Sequence, residues 1–249
     1  MNTSNIDITK YRETFQIGSF DADLHGKAKL TSICNYFQEI AGKHVDLIHQ
    51  GINDLKDNNM AWVLSRLKLQ IFETPNWKDK ISIETWSVGT DGIFGNREFK
   101  IYDSKDQVIG QALSSWLVIN TNTKRLVRPQ EIVASLPINQ EDPIFAHTLT
   151  KLPQIKDPKY IEDLHIHYSD LDIYRHVNNV KYVKWAIDSC LSEILSKKRI
   201  HELEINYIHE AKLGETLEVF NTTNDNTSEI FIKTKNTDIE NCRAIIKWK

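Results

Sequence analysis

Apolar and polar residues recur with two periods along this chain of 249 residues, and the succession of periods occurs twice. Two short alternating segments, TFQIGSF and LHIHYSD, predict strands. Each is followed by a longer stretch, residues 26–48 or 177–195, whose apolar residues recur at helical spacing. The stripes consist of Leu30, Ile33, Phe37, Ile40, Ala41 and Ile48 in the first half and Val180, Val183, Ile187, Leu191 and Ile194 in the second. The pattern predicts a strand and then a long amphipathic helix in each half.

The sequence after each predicted helix also repeats. SRLKLQIFETPNWKDKISIETW and ELEINYIHEAKLGETLEVF each predict a hairpin, because apolar alternation enters a turn and resumes beyond it. Each half closes on a strand that ends in tryptophan, Trp116 or Trp248. A long helix followed by antiparallel strands can bury its apolar stripe only against the sheet. We therefore predict an α+β fold, a tandem (double) hot-dog in which two antiparallel sheets each wrap around a long central helix.

Prolines and a loss of periodicity mark the join between the halves. Four of the six prolines fall in residues 131–160, which we interpret as a linker. The predicted domains are an N-terminal hot-dog over residues 1–130 and a C-terminal hot-dog over residues 161–249. Pairing of the two edge to edge would remove exposed sheet edges, and a homodimer is a further expectation.

Composition narrows the class of protein. Apolar residues make up 40% of the chain and the net charge is -3, so we expect a packed core and no nucleic-acid partner. The polar start MNTSNIDITKYRE and the lack of a long apolar run predict no signal peptide and no membrane partner, hence a cytoplasmic protein. The three cysteines are far apart and form no CxxC pair. We expect buried thiols, no metal site and no cofactor.

Polar residues with catalytic potential are concentrated in the second half. The segment DLDIYRHVNNVKY, which opens the second predicted helix, contributes Asp170, Asp172, His176, Asn178 and Asn179. Its counterpart in the first half is FDADLHGKAKLTS. Alignment of the helices places Ala22 opposite Asp172, Gly26 opposite His176 and, in the hairpin, Thr74 opposite Glu210. Because the structural needs of the two halves should be similar, polar groups present in only one are candidates for function.

The residue types suit hydrolysis at a carbonyl carbon. His176 and Glu210 are candidates for the general base that activates water. Asp172 is a candidate for orienting His176, and Asn178 for capping the helix. Free N–H groups at the helix start could stabilise an oxyanion. Taken singly, each residue also has an ordinary structural interpretation as a turn former, cap or solvated charge.

The run DIYRHVNNVKY, from Asp172 to Tyr182, resembles the Asp-x-Asn-x-His-Val-Asn-Asn-x-x-Tyr signature of acyl-acyl-carrier-protein (acyl-ACP) thioesterases of plants and bacteria. The segment SSWLVINTNTKRLVRP resembles a Trp-x-x-Ile-Asn segment of the same family. The resemblance covers nearly the whole chain. It implies hydrolysis of fatty acyl-ACP to free fatty acid and ACP by water attack on the thioester, terminating fatty acid synthesis. Asp172, His176 and Glu210 match the family's catalytic positions.

Two positions depart from the family pattern. Tyr174 stands where the family usually has Asn, so Tyr174 is a candidate catalytic or positioning residue, as is Asn178. Ala211 stands where plant members have Cys, which favours direct water attack over a thiol nucleophile.

The resemblance also implies a partner, an acyl carrier protein with its phosphopantetheine-linked acyl chain. It places the acyl chain in a pocket lined mainly by the first half. The carrier is acidic, so a basic surface would aid association. Candidate carrier-binding residues are Lys124, Arg125, Arg128, Lys197, Lys198 and Arg199.

Three alternatives remain at this stage. An acyl-CoA thioesterase on the same fold differs only in the carrier. A hot-dog hydratase or dehydratase would also use a histidine and an acid near a helix start. The third alternative is a non-catalytic acyl-thioester-binding module, in which Tyr174 in place of the usual Asn would mark the loss of enzymatic activity. Comparison of turnover on the two carriers, together with release of free thiol, separates these hypotheses.

Overall fold

The computed structural model of the protein describes residues 8–128, 132, 138–139 and 143–249. The chain divides into two compact units. The first comprises residues 1–64 and 71–149, and the second comprises residues 65–70 and 150–249. Each unit contains antiparallel strands and an amphipathic helix. Among the described residues, no helix has the length and apolar character needed to cross a membrane.

The first unit begins with a strand and two helices, β1 (Lys10–Gln16), α1 (Leu30–Leu47) and α2 (Ile52–Asp57). The strands that follow are β2 (Met60–Ile71), β3 (Lys80–Asp91), β4 (Phe94–Tyr102), β5 (Val108–Asn120) and β6 (Leu126–Val127). Strands β1, β3, β4 and β5 are antiparallel neighbours in that order, and β6 pairs with β5. Helix α1 packs against β1 and β3.

Helix α1 confirms the first helical prediction. Its apolar stripe is buried, with Ile33 and Ile40 at 2% and 0% exposure. The ring of Phe37 stacks on Phe99 of β4 at a centroid distance of 4.5 Å. The helix ends at Leu47, so the predicted Ile48 is its C-terminal cap rather than part of the stripe.

The second unit contains β7 (Lys159–His165), a 3-10 turn (Tyr168–Asp170), α3 (Asn179–Asp188), α4 (Ser192–Lys197), β8 (Ile200–Tyr207), β9 (Thr216–Asn224), β10 (Thr227–Thr234) and β11 (Glu240–Trp248). Residues 66–70 of β2 pair antiparallel with β8. Beyond β8 the order is β11, β10, β9 and β7, again antiparallel.

The second predicted helix is shorter than its periodicity indicated. Helix α3 ends at Asp188, and Leu191, predicted on the buried stripe, is 63% exposed. The physical cause is a polar contact at the helix end. The side-chain amide of Asn221 on β9 donates to the carbonyl oxygen of Ser189 at 3.2 Å, and the Ser189 hydroxyl donates to the carbonyl of Ala186 at 2.8 Å. These bonds replace continuation of the helix.

The predicted linker, residues 131–160, falls partly outside the described residues. Its described end is anchored to the second unit. The backbone N–H of Leu152 donates to the side-chain oxygen of Asn206 at 2.8 Å, and its carbonyl accepts from Arg243 at 2.6 Å. Strand β7 already begins at Lys159. The buried side chains of Asn206 and Arg243 hold this segment in place. They lie outside the linker, so the periodicity of the linker could not indicate these contacts. The predicted domain bounds stay predictions.

Candidate active site

A tight loop precedes α3 and carries the predicted site residues. Asp172 organises it, because its carboxylate oxygen Oδ1 accepts the backbone N–H of Tyr174 at 2.8 Å and that of His176 at 3.2 Å. The backbone N–H of Asp172 donates to the carbonyl of His176 at 2.8 Å. Arg175, between them, has a φ of 65°, a left-handed conformation that costs free energy for any residue with a Cβ.

The loop before α1 has the same construction. Asp23 Oδ1 accepts the N–H of His25 at 2.8 Å and that of Lys27 at 2.9 Å, and the Asp23 N–H donates to the Lys27 carbonyl at 2.7 Å. The left-handed position is Gly26, with a φ of 70°. Asp23 is therefore the structural counterpart of Asp172.

This correspondence corrects the sequence alignment of the two halves by one residue. Lys27, not Gly26, lies opposite His176, and Asp23, not Ala22, lies opposite Asp172. The alignment failed because helical periodicity fixes which face is buried more firmly than it fixes the start of the helix. Both units therefore have an aspartate at this position, so Asp172 is no longer a polar group found only in the second half. Its observed contacts are those of a loop-forming residue.

His176 and Glu210 have no equivalent in the first unit. Their side-chain atoms Nε2 and Oε2 lie 3.4 Å apart, and the two side chains are 40% and 48% exposed. The opposite positions hold Lys27, whose ammonium donates to Asn76 Oδ1 at 2.7 Å, and Thr74. The second unit therefore brings a potential proton acceptor pair to a solvent-accessible place at the start of α3.

The turn after Glu210 is matched to the turn after Thr74. The N–H of Lys212 donates to Glu215 Oε2 at 2.8 Å, as the N–H of Asn76 donates to Asp79 Oδ2 at 2.7 Å. This match confirms the predicted pairing of Thr74 with Glu210.

Tyr182 of α3 holds the Glu210 turn and was not recognised as a site residue from sequence. Its hydroxyl accepts the backbone N–H of Ala211 at 3.2 Å. Tyr182 is 3% exposed, and burial raises the pKa of its phenol, so that the neutral hydroxyl is retained. In the first unit the position of Ala211 is occupied by Pro75, which has no N–H to satisfy. The final tyrosine of the DIYRHVNNVKY signature was the available signal.

The helix start is joined to the turn between β2 and β3 in the first unit, whereas the described residues of the second unit show no equivalent bonds to the turn between β8 and β9. In the first, the N–H of Ala28 donates to the carbonyl of Pro75 at 2.9 Å and the N–H of Trp77 donates to that of Gly26 at 2.8 Å. The equivalent donors are Val177 and Leu213, and neither has a hydrogen-bond acceptor within the described part of the chain. Beside His176 and Glu210 the second unit therefore has a gap in backbone pairing, which we call the opening, and the N–H of Val177 in this gap has no acceptor among the described residues.

The remaining predicted residues of this loop are accounted for individually. Asn178 caps α3, since its side-chain oxygen accepts the N–H of Val180 at 2.9 Å. Asp170 accepts from the ammonium of Lys181 at 3.0 Å and is a structural ion pair. Tyr174 is 43% exposed at the position of His25. The structure thus gathers Asp172, Tyr174, His176, Asn178 and Glu210 at one end of the second unit.

The predicted basic residues near the end of α4 lie elsewhere. Lys197 pairs with Glu193 at 2.6 Å, and Lys198 donates to the carbonyl of Asp225 in the β9–β10 turn at 3.0 Å. Arg199 precedes β8, whose eight residues span about 23 Å before the chain reaches Glu210. Lys197, Lys198 and Arg199 are therefore at the opposite end of β8 from the site.

The other predicted basic group lies in the first unit. Lys124 and Arg125 are exposed in the turn between β5 and β6, and Arg128 is exposed just after β6. Their role in carrier binding stays a prediction.

The three cysteines of the chain are all buried. Cys190 is 5% exposed, and burial raises the pKa of its thiol, which disfavours the thiolate. Cys34 and Cys242 are also buried and free. Within the described ranges, no group of three or more His, Cys, Asp or Glu side chains could hold a metal ion.

Sequence comparison identifies the family on both parts of the chain. Residues 8–136 match the acyl-ACP thioesterase N-terminal domain and residues 154–249 match the acyl-ACP thioesterase C-terminal domain. The chain is 27% identical over 245 residues to oleoyl-acyl carrier protein thioesterase 2 of Arabidopsis thaliana, covering 92% of this chain. It is also 27% identical over 238 residues to dodecanoyl-[acyl-carrier-protein] hydrolase of Cinnamomum camphora. The matches span 66% and 61% of those two proteins, less than two thirds of their length.

Solved structures agree with the sequence comparison. The crystal structure of an acyl-ACP thioesterase from Bacteroides thetaiotaomicron superposes with a TM-score of 0.86 at 27% identity, covering 97% of this chain and 98% of that one. The 12:0-ACP thioesterase from Umbellularia californica has the same fold, with a TM-score of 0.87 at 22% identity and 97% of both chains covered. On this evidence the chain belongs to the acyl-ACP thioesterase family.

Proposed function

We propose that this protein hydrolyses the thioester of fatty acyl-ACP, releasing free fatty acid and the carrier and so terminating fatty acid synthesis. The observation that carries the proposal is the pairing of His176 Nε2 with Glu210 Oε2 at 3.4 Å, beside the opening that the first unit lacks. Family membership supports the substrate class. The carrier would present its acyl group on a phosphopantetheine arm, and no cofactor takes part.

In the proposed reaction, Glu210 and His176 act on one water molecule. Glu210 accepts the water proton, with His176 positioning the pair, as the oxygen adds to the thioester carbonyl carbon. The N–H of Val177 donates to the oxygen that becomes negative, and the positive end of the α3 dipole adds to that stabilisation. The carbon–sulfur bond then breaks, the carbonyl re-forms, and the departing thiolate takes the proton held by the acid–base pair.

Three further residues are proposed to position other groups and not to transfer protons. Asp172 holds the backbone of His176 and thereby the direction of the imidazole. Asn178 caps α3 and so keeps the first N–H groups of the helix in place. Tyr174 is proposed to help position the water or the acid–base pair, as the Asn of the family signature would. Tyr174→Phe should then lower kcat several-fold while Tyr174→Asn retains it. Unchanged kcat in Tyr174→Phe would assign the side chain to packing alone.

The domain assignment is part of the proposal. Each predicted domain, residues 1–130 or 161–249, would be one hot-dog with its sheet wrapped around α1 or α3. The burial of the α1 stripe and the antiparallel order of the strands in each unit support it. The acyl-chain pocket in the first domain and a homodimeric state remain predictions.

The test is hydrolysis by purified protein of an acyl-ACP series that differs in chain length, followed through the free thiol released. Time-dependent release of one thiol per fatty acid is expected, with a maximum at one chain length. Faster turnover of the matching acyl-CoA would identify an acyl-CoA thioesterase instead. Addition or loss of water without thiol release would identify a hydratase or dehydratase. Binding without either reaction would identify an acyl-thioester-binding module.

A further inference from the structure

Exposed apolar side chains lie on both segments that carry His176 and Glu210. Ile173 is 83% exposed, Tyr168 84% and Leu213 55%. The corresponding loops of the first unit expose Phe20, Leu24 and Trp77, so apolar exposure alone does not single out a surface. The group in the second unit is a candidate interaction surface because it lies beside the site. We call Tyr168, Ile173, Arg175, Lys212 and Leu213 the rim.

Backbone hydrogen bonds place the rim residues on one end of the second unit. The N–H of Leu171 donates to the carbonyl of Tyr168 at 3.2 Å, which ties the 3-10 turn to the loop that carries Ile173. The N–H of Gly214 donates to the carbonyl of Ile166 at 3.1 Å, which ties the Leu213 turn to the start of that 3-10 turn. The rim residues therefore lie on both of the connected segments that hold His176 and Glu210.

The charge of the rim is positive and uncommitted. Arg175 and Lys212 are exposed, and neither side chain has an ion pair or hydrogen bond within the residues that the structure describes. Four carboxylates lie nearby, and each has a contact of its own. Asp170 pairs with Lys181, Asp172 and Glu215 accept backbone N–H groups, and Glu210 lies 3.4 Å from His176. An acidic partner could therefore pair with both cations without displacing an existing contact.

Arg175 differs in side chain from its counterpart in the first unit. It occupies a left-handed conformation with a φ of 65°, where the first unit has Gly26 at 70°. The reverse exchange occurs in the turns after Thr74 and Glu210, where Lys78 at 73° stands opposite Gly214 at 82°. The backbone conformation therefore gives no separate argument, and the comparison rests on the exposed charge of Arg175, which is unpaired among the described residues. In the first unit, by comparison, Lys27 and Lys29 donate to Asn76 and to the carbonyl of Phe20.

We propose that the rim is the docking surface for the acyl carrier protein, and that Ile173 and Leu213 enter the apolar part of the contact while Arg175 and Lys212 pair with carrier carboxylates. The occupant follows from the charge of the rim and from its place around the groups to which the thioester must be delivered. This inference rests on the proposed function for the identity of the carrier.

The experiment compares one acyl group on two thiols, the carrier protein and a small pantetheine analogue, in Ile173→Ser, Leu213→Ser and Lys212→Glu. Each variant should raise KM for acyl-carrier about tenfold, which is about 1.4 kcal/mol, and leave hydrolysis of the small thioester within about twofold. For the wild type, KM for acyl-carrier should rise with ionic strength, whereas KM for the small thioester should not.

Two comparison variants come from the other unit. Leu24 is 89% exposed at the position equivalent to Ile173, and Lys124 belongs to the other predicted basic group. Leu24→Ser is the matched control and should leave both KM values unchanged. Lys124→Glu tests the competing basic group, and it should raise KM for acyl-carrier less than Lys212→Glu does. Increased KM in Lys124→Glu with none in Lys212→Glu would move carrier docking to that group and overturn the proposal.

Two further measurements keep the docking surface separate from the reaction. Direct titration with unacylated carrier should show about tenfold weaker binding by Ile173→Ser than by the wild type. This result would support the docking surface even if the protein hydrolysed neither thioester, and the lack of hydrolysis would then contradict the proposed function alone. Sedimentation should show the same oligomeric state for the wild type and Ile173→Ser. Dissociation of a dimer with KM unchanged would make the rim an interface between copies of this chain and refute carrier docking.

Discussion

The loops before α1 and α3 share their backbone and differ in their side chains. Each is closed by an aspartate, Asp23 or Asp172, that accepts two backbone N–H groups, and each contains one left-handed residue. At two further positions the first unit has Lys27 and Thr74 where the second has His176 and Glu210. The comparison separates what the loop needs in order to fold from what the site needs in order to react.

The second difference is in the backbone itself. Two hydrogen bonds join the helix start to the turn between β2 and β3 in the first unit, and the residues described for the second unit form neither of the counterparts. The N–H of Val177 consequently has no acceptor among those residues. The two units therefore share the backbone of this loop and differ in a few side chains and in the two backbone hydrogen bonds to the following turn.

The largest effect should come from the residues that only the second unit has. Glu210→Gln and His176→Ala should each lower kcat by about 10²–10⁴-fold, because the base or its positioning is lost. Thr74→Ala and Lys27→Ala are the matched controls and should retain activity. Steady-state kinetics with a thermal melt on each variant makes the measurement, and near-normal kcat in a folded Glu210→Gln would remove that residue from the mechanism.

The two aspartates test whether the shared loop is structural. Asp23→Ala and Asp172→Ala should each lower the free energy of unfolding by about 1–3 kcal/mol, since each leaves two backbone N–H groups without their acceptor. Only Asp172→Ala should also lower kcat, because only the loop of Asp172 carries His176. Denaturant unfolding and turnover measure the two effects. A stable Asp172→Ala with strongly reduced kcat would instead indicate a direct chemical role for the carboxylate.

Tyr182→Phe removes the hydroxyl that holds the Glu210 turn. The buried N–H of Ala211 then has no acceptor, which should destabilise the fold by about 1–2 kcal/mol and lower kcat by about tenfold through displacement of Glu210. The equivalent position in the first unit is Ile33, opposite Pro75, so that unit offers no such contact to lose. Equal kcat for Tyr182→Phe and the wild type would show that the turn holds Glu210 without this bond.

The smallest effect should come from the helix caps. Asn178→Ala should cost about 1 kcal/mol of unfolding free energy, because the N–H of Val180 loses its side-chain acceptor. Lys29, the cap position of α1, makes no such bond, so Lys29→Asn should raise stability by about 0.5–1 kcal/mol. Thermal melts of the two variants should shift in opposite directions. Shifts of the same sign would contradict the assignment of these caps.

Sequence periodicity by itself determined α1, the first part of the second helix and the repeated order of elements, because apolar spacing dictates which face of each element is buried. The two predicted hairpins were wrong. Strand β2 pairs with β8 and not with β3, and β9 pairs with β10 and β7 and not with β8. The comparison of the two halves and the resemblance to the family signature singled out Asp172, Tyr174, His176, Asn178 and Glu210, and periodicity played no part in that choice. The structure gathers these five at one end of the second unit.

Tertiary structure decided what periodicity cannot encode. The correct alignment of the two loops with each other depends on backbone hydrogen bonds to Asp23 and Asp172. An alignment that is wrong by one residue changes the hydrophobic pattern too little to be detected from sequence. The end of α3 is set by Asn221, more than thirty positions away along the chain. The burial of Arg97, where burial lowers the guanidinium pKa to about 10 and His44 Nδ1 lies 2.9 Å away, likewise depends on packing between α1 and β4. Each of these rests on contacts between residues distant in sequence, whose geometry exists only once the chain has folded.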